Sequence, residues 1–231
     1  MRWNDIQAHF QAVPLFKELS TEELIPFVDI SITRTFNPKS LVFMQEDVLD
    51  RVFFIHSGKV KIYRNDAAGK EQIVSVLQAG EMFPHAGFFR KGTFPANAEI
   101  IETAQLIVMP IVDFEKVLIK NPELCIKIFK VLGEKIVDLQ NRLEEKILHN
   151  TYEQIIMLLI RLSKSNGTLC SVNLYKITTN FTNRELANMI GTTRETVSRT
   201  LNTLRKKKLI ELDKQGCYII NLEKLQNELL Y

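Results

Sequence analysis

The sequence predicts an α+β chain: an N-terminal β-roll (jelly roll), a long helix, and a small C-terminal helical module closed by a β-hairpin. Three observations carry this. Between Ile30 and Met109 short β-rich runs alternate with turn signals. From Asn121 onward apolar residues recur at helical spacing. After Thr182 two capped helical segments flank a glycine and lead into a strand-turn-strand pattern. The expected boundaries are 1–120, 121–148 and 149–231.

The roll is read from runs such as VFFIHSGKVKIYRND and KEQIVSVL. In KVKIY apolar and polar side chains alternate, the period of a half-buried strand. NDAAGK is a hairpin loop between two such runs. Ahead of the roll, short helices are expected in the first thirty residues, one of them capped by Ser20 with Glu22 and Glu23 in its first turn.

Asn121-Pro122-Glu123 opens the long helix, with Asn as the cap and Pro in the first helical position. Cys125, Phe129, Leu132, Ile136, Leu139 and Leu143 then follow in alternating steps of four and three. This stripe either packs on its own domain or forms a homodimer seam through Phe129, Leu132, Ile136, Leu139 and Leu143. Lys146 interrupts it, and His149-Asn150-Thr151 reads as a hinge. The helix YEQIIMLLIRLSKS follows, then a loop at SNG.

Composition bounds the function. Hydrophobic residues make up 45% and charged residues 25% of the 231, ordinary globular values. Residues 1–150 hold 18 Lys+Arg against 20 Asp+Glu, and residues 151–231 hold 12 against 7. A basic C-terminal third on a near-neutral body is expected of a polyanion-binding module. The three cysteines, Cys125, Cys170 and Cys217, form no CxxC pair, which argues against a zinc ribbon or iron–sulfur cluster and fits free thiols in a reducing cytoplasm. MRWNDIQAHF lacks the apolar core of a signal peptide, and no long apolar run is present, so no membrane partner is expected. No Gly-rich phosphate loop, G-x-S-x-G or H-E-x-x-H occurs, so neither catalytic residues nor a cofactor or metal is expected.

The most specific stretch is TNRELANMIGTTRETVSRTLNTLRKKKLI. Thr182 and Glu185 form a capping box. Leu186, Ala187 and Ile190 give the first helix its apolar face, and Gly191 is the residue type that turns the chain. Thr193 caps a second helix whose buried stripe is Val197, Leu201 and Leu204. This is a helix-turn-helix, and the hairpin LIELDKQGCYIINL behind it makes it winged. Such a motif presents the start of its second helix to the major groove of double-stranded DNA. The candidate base readers are Arg194, Glu195, Ser198 and Arg199: guanidinium pairs with guanine O6 and N7, and carboxylate accepts from cytosine N4. Thr182, Thr193, Arg205, Lys206, Lys207 and Lys208 are candidate phosphate contacts, with Lys214 and Gln215 on the wing. The competing reading is a solvated helix with a Glu195–Arg199 ion pair.

With these motifs in place, nearly the whole chain resembles the CRP/FNR family of bacterial transcription regulators. FFIHSGKVKIYRNDAAGKEQIVSVLQAGEMF is similar to the family's cyclic-nucleotide-binding-like roll, and TTRETVSRTLNTLRKKKLI to its recognition helix. The resemblance implies a homodimer, a palindrome of TGTGA- or TTGA-like half-sites, RNA polymerase as a partner, and an effector bound in the roll. It also exposes a departure. Pro84-His85-Ala86 stand where the family has Gly-Glu-Leu, and Pro95-Ala96-Asn97 where it has Arg-Ser-Ala. The glutamate for the ribose and the arginine for the phosphate are both absent, so cyclic AMP is not expected to bind. His85, Phe83, Phe88 and Asn97 are the candidate residues for a different small-molecule effector, although the local phenylalanines equally suit a filled cavity. Effector-free DNA binding and a cysteine switch at Cys125 stay open beside it. Outside gene control, the alternatives are a cyclic-nucleotide-binding regulatory protein acting through a protein partner, and an RNA-binding module. The first needs the missing cassette, and the second needs exposed aromatics beyond Tyr218.

Overall fold

The computed structural model describes residues 19–85 and 91–229, together with 6, 7, 10, 13 and 16. The chain divides into two compact units, Met1–Val137 and Asp138–Tyr231.

The first unit begins with α1 (Thr21–Asp29), which Ser20 and Glu23 close in a reciprocal capping box. Six strands follow: β1 (Ile32–Phe36), β2 (Leu41–Phe43), β3 (Arg51–Asn65), β4 (Glu71–Gln78), β5 (Met82–Phe83) and β6 (Asn97–Pro110). They pair antiparallel in the order β1-β6-β3-β4, with β2 on β6 and β5 on β3. The NDAAGK loop is the β3–β4 turn, held by the Asp66 carboxylate, which accepts from the Ala68 and Lys70 amides at 2.9 Å.

β3 and β6 are long enough to roll the sheet because their pairing slips at Ile55/Ser57, Ser57/Lys59 and Lys59/Val60. Gly58 sits inside this irregular stretch at φ +87°, where a Cβ would lie 2.4 Å from the Thr103 carbonyl oxygen. Only glycine fits there. Alternation along β3 and β6 sends residues to two cores. Val52, Phe54, Ile107 and Met109 join Phe10, Phe16, Phe27 and Phe114 in one. Phe53, Ile55, Leu106 and Val108 join Phe43, Phe83 and Phe94 in the other.

Two helices close the unit, α2 (Ile111–Lys120) and α3 (Pro122–Leu148), the latter continuing into the second unit. α2 was not anticipated, and it changes the role of Asn121. The Asn121 amide donates to the Val117 carbonyl at 2.7 Å, so it finishes α2 while α3 starts behind it.

The second unit holds the end of α3, then α4 (Thr151–Asn166), β7 (Gly167–Ser171), β8 (Leu174–Ile177), α5 (Asn183–Ile190), α6 (Arg194–Lys206), β9 (Ile210–Leu212), β10 (Tyr218–Asn221) and α7 (Leu222–Glu228). Where a loop was expected at SNG, α4 runs to Asn166 and β7 starts at Gly167. The β7–β8 hairpin lies against the wing, giving a sheet in the order β7-β8-β10-β9. Ile155, Ile156, Leu159, Ile177, Leu186, Val197, Leu204 and Ile220 are buried in this unit.

Candidate nucleic-acid interface

α5 and α6 are built by local chemistry. The Thr182 hydroxyl accepts from the Glu185 amide at 3.2 Å, and the Glu185 carboxylate accepts in return from the Thr182 amide at 2.8 Å. Gly191 takes the left-handed conformation, φ 71° and ψ 39°, and ends α5. The Ala187 carbonyl accepts from Gly191 and Thr192, so the turn is hydrogen-bonded as well as sterically set. Two residues past Gly191, the Thr193 hydroxyl accepts from the Thr196 amide at 3.2 Å and starts α6.

α6 buries Val197, Thr200, Leu201 and Leu204 on one side. Arg194, Glu195, Arg199 and Asn202 are exposed on the other, with Ser198 half-buried beside them. Among the described residues, neither the two guanidinium groups nor the Glu195 carboxylate takes part in any side-chain hydrogen bond or salt bridge, and a Glu195–Arg199 pair does not form. These tips lie at the N-terminal half of an exposed helix, free to meet a ligand.

The expected phosphate contacts divide. Arg205, Lys206 and Lys208 are exposed. Lys207 is already paired with the Glu228 carboxylate of α7. Its ammonium also lies 5.7 Å from the Tyr152 ring centroid. The Thr182 hydroxyl donates its hydrogen to the Glu185 carboxylate at 2.8 Å, and the Thr193 hydroxyl shares a 3.0 Å hydrogen bond with that of Thr196. On the wing, Lys214 is exposed, whereas the Gln215 side chain accepts from Lys176 at 3.2 Å. Lys176, at the centre of β8, also pairs with Asp213 at 2.6 Å. LYKI carries no turn signal, so nothing in the sequence places Lys176 beside the wing.

The proposed seam also divides. Phe129 is 69% exposed, Ile136 and Leu139 are 55%, and Leu143 is 62%. Cys125 and Leu132 instead pack on the first unit's own core beside Leu124 and Ile128. Val137, Ile147 and Leu148 are exposed apolar residues of α3 that the seam did not include.

In the roll, Phe83 stacks on Phe53 with centroids 5.1 Å apart, and Phe94 lies on Phe43 at 3.7 Å and 7°. The interior beside β5 is thus filled with aromatic rings. Asn97 is buried, and its amide is spent on backbone: Oδ1 accepts from Gln45 at 2.9 Å and Nδ2 donates to the Tyr63 carbonyl at 3.4 Å. That leaves it as a structural staple with little to offer an effector. His85 is half-buried. Burial, with the positive Lys135 nearby, pushes its imidazole down to about 4. Lys135 is itself paired with Glu81 at 3.2 Å. Phe88 lies outside the described residues. His85 and Pro95 themselves supply neither a cation nor a carboxylate at the two positions where the resemblance implies an arginine and a glutamate. Among the described residues no cluster of His, Cys, Asp or Glu is arranged for a metal ion, and no helix is long and apolar enough to cross a membrane.

Two family profiles match the chain. "Cyclic nucleotide-binding domain" covers residues 33–121. "Crp-like helix-turn-helix domain" covers residues 153–228. The chain is 27% identical to the global nitrogen regulator of Nostoc sp. over 87% of its length and 88% of that protein's. It is 26% identical to the anaerobic regulatory protein of Bacillus subtilis over 90% and 88%. A solved structure of a CooA variant from Carboxydothermus hydrogenoformans shares the fold at a TM-score of 0.73, 22% identity and 91% coverage of both chains.

Proposed function

We propose, from the premise that this chain belongs to the CRP/FNR family of bacterial transcription regulators, that it works as a homodimer reading an inverted repeat of TGTGA- or TTGA-like half-sites. The observation that carries the reading is the set of unpaired, exposed tips of Arg194, Glu195 and Arg199 on the N-terminal half of α6. Arg199 and Arg194 suit guanine edges and Glu195 suits a cytosine amine. Arg205, Lys206 and Lys208 supply charge for the backbone.

The dimer reading rests on Phe129, Ile136, Leu139 and Leu143, an apolar, self-complementary stripe in steps of seven, three and four along one exposed helix. A second copy is the natural cover, since like stripes pack knobs into holes about a two-fold axis. Two recognition helices then meet successive major grooves about 34 Å apart, and the DNA site must be an inverted repeat. Such a regulator acts in the bacterial cytoplasm, with RNA polymerase as the machinery it serves. The control signal is a small molecule other than cyclic AMP, or DNA binding is effector-independent. The lost cassette and the Phe43–Phe94 stack support this. They also count against a cyclic-nucleotide-dependent partner protein.

The test is selection of bound duplexes from a random-sequence pool by the purified full chain, with and without a small-molecule cell extract. Enrichment of an inverted repeat with half-sites one helical turn apart is expected. Enrichment of no motif, or of a solitary half-site, overturns the reading.

A further inference from the structure

Resting on that DNA-reading role, we propose that Lys146 is a positioning residue: its ammonium latches the C-terminus of α5, and through it the start of α6, to the last turn of α3. The sequence shows only that a lysine stands where the next apolar seam residue is due. The structure shows where its side chain goes. Nζ donates to the Ile190 carbonyl at 2.9 Å and to the Gln154 side-chain oxygen at 3.4 Å.

Ile190 is the last residue of α5, where carbonyls lack intrahelical partners and the helix dipole is negative. The Ala187 carbonyl is satisfied by the glycine turn. The Ile190 carbonyl is satisfied by Lys146, from another helix. Gln154 is buried and cannot rotate freely: its amide nitrogen donates to the His149 carbonyl at 2.7 Å, which aims its oxygen at Lys146. One residue before Lys146, the Glu145 carboxylate takes both Arg161 hydrogen bonds, at 3.1 and 2.8 Å. The final turn of α3 is therefore tied to α4 by Glu145 and to α5 by Lys146.

Three residues beyond Ile190, Thr193 caps the recognition helix. Freeing Ile190 loosens the Gly191–Thr193 turn and the angle at which α6 enters a groove. Base contacts need that angle held closely, whereas phosphate contacts through flexible lysines do not.

The experiment uses the full chain with Lys146→Met, Lys146→Arg and Gln154→Leu, and measures Kd for the selected duplex and for a scrambled duplex of equal length. Lys146→Met should lose about fivefold on the selected duplex, the size of one cation–helix-terminus interaction, with the scrambled Kd unchanged. Lys146→Arg should restore the ratio, and Gln154→Leu should lower it. If Lys146→Met does not fold, Gln154→Leu carries the same comparison. An equal loss on both duplexes overturns the proposal, because a phosphate contact or a general loss of stability produces that pattern. So does an unchanged ratio. A wild-type chain that shows no preference for any duplex overturns the DNA reading itself, and the latch with it.

Discussion

The Lys207 ammonium is paired with the Glu228 carboxylate, and the same carboxylate accepts a 2.8 Å hydrogen bond from the Tyr152 hydroxyl. The pairing raises the Lys207 ammonium's pKa, chiefly through the Glu228 hydrogen bond, and lowers the Glu228 carboxyl's, chiefly through Lys207. Lys207 is thus engaged within the protein, unlike the neighbouring lysines proposed to meet phosphates. Lys207→Ala should leave the dependence of log Kd on log salt unchanged. Glu228→Gln should release the lysine and steepen that slope by about 0.9, one extra phosphate neutralised. Binding titrations at four salt concentrations decide it, and a flatter slope for Lys207→Ala returns this residue to the interface.

Arg199 and Lys206 should behave differently from each other. Arg199→Ala removes a proposed base reader and should cost about 1–3 kcal/mol on the selected site, relaxing preference at one position. Lys206→Ala should weaken selected and scrambled duplexes alike. Competition binding with single-base variants separates the two, and an unchanged base preference in Arg199→Ala contradicts its assignment.

Leu143→Glu places a charge in the exposed stripe of α3 without touching either unit's core. It should convert the proposed dimer to a monomer, since each apolar seam residue buried between copies contributes about 1.5–3 kcal/mol. Sedimentation equilibrium reads the mass directly. A wild-type chain that sediments as a monomer at micromolar concentration rejects the seam.

Calorimetry with cyclic AMP should give no saturable heat at micromolar ligand, because an unpaired buried phosphate costs more than the remaining contacts return. In parallel, Phe94→Ala should lower stability by about 3–5 kcal/mol by opening a cavity under Phe43. A clean isotherm with cyclic AMP defeats this account of the roll.

His85 adds an acid limit. Its folded-state value is pushed down to about 4 by burial and by Lys135, against an unfolded value of about 6.5. The unfolded chain therefore binds the proton first. The contribution is fully present above pH ~6.5 and is lost as pH falls toward about 4. Glu81, which pairs with Lys135 at 3.2 Å, faces the same corner. Denaturation of His85→Asn should lack that part of the acid slope, roughly 1–3 kcal/mol after screening. An identical slope in both proteins removes His85 from the acid response.

The helix-turn-helix was legible in the sequence because its signals are local. Thr182 with Glu185, Gly191, and Thr193 each act within four residues of themselves, and the Val197–Leu201–Leu204 stripe is a property of one helix. The strands around KVKIY were legible for the same reason, since period-two alternation is written along the chain. What only the tertiary structure decided involves partners far apart in sequence. Spacing alone put Leu132 and Leu139 in one stripe, yet the first unit's core claims Leu132 and leaves Leu139 exposed. A run of three lysines looks uniform, yet Glu228 and Tyr152 single out Lys207. Lys146 reads as an interruption until Ile190 and Gln154 come within reach of its ammonium. Helical periodicity reports which side chains share a face, and it carries no information about what packing brings against that face.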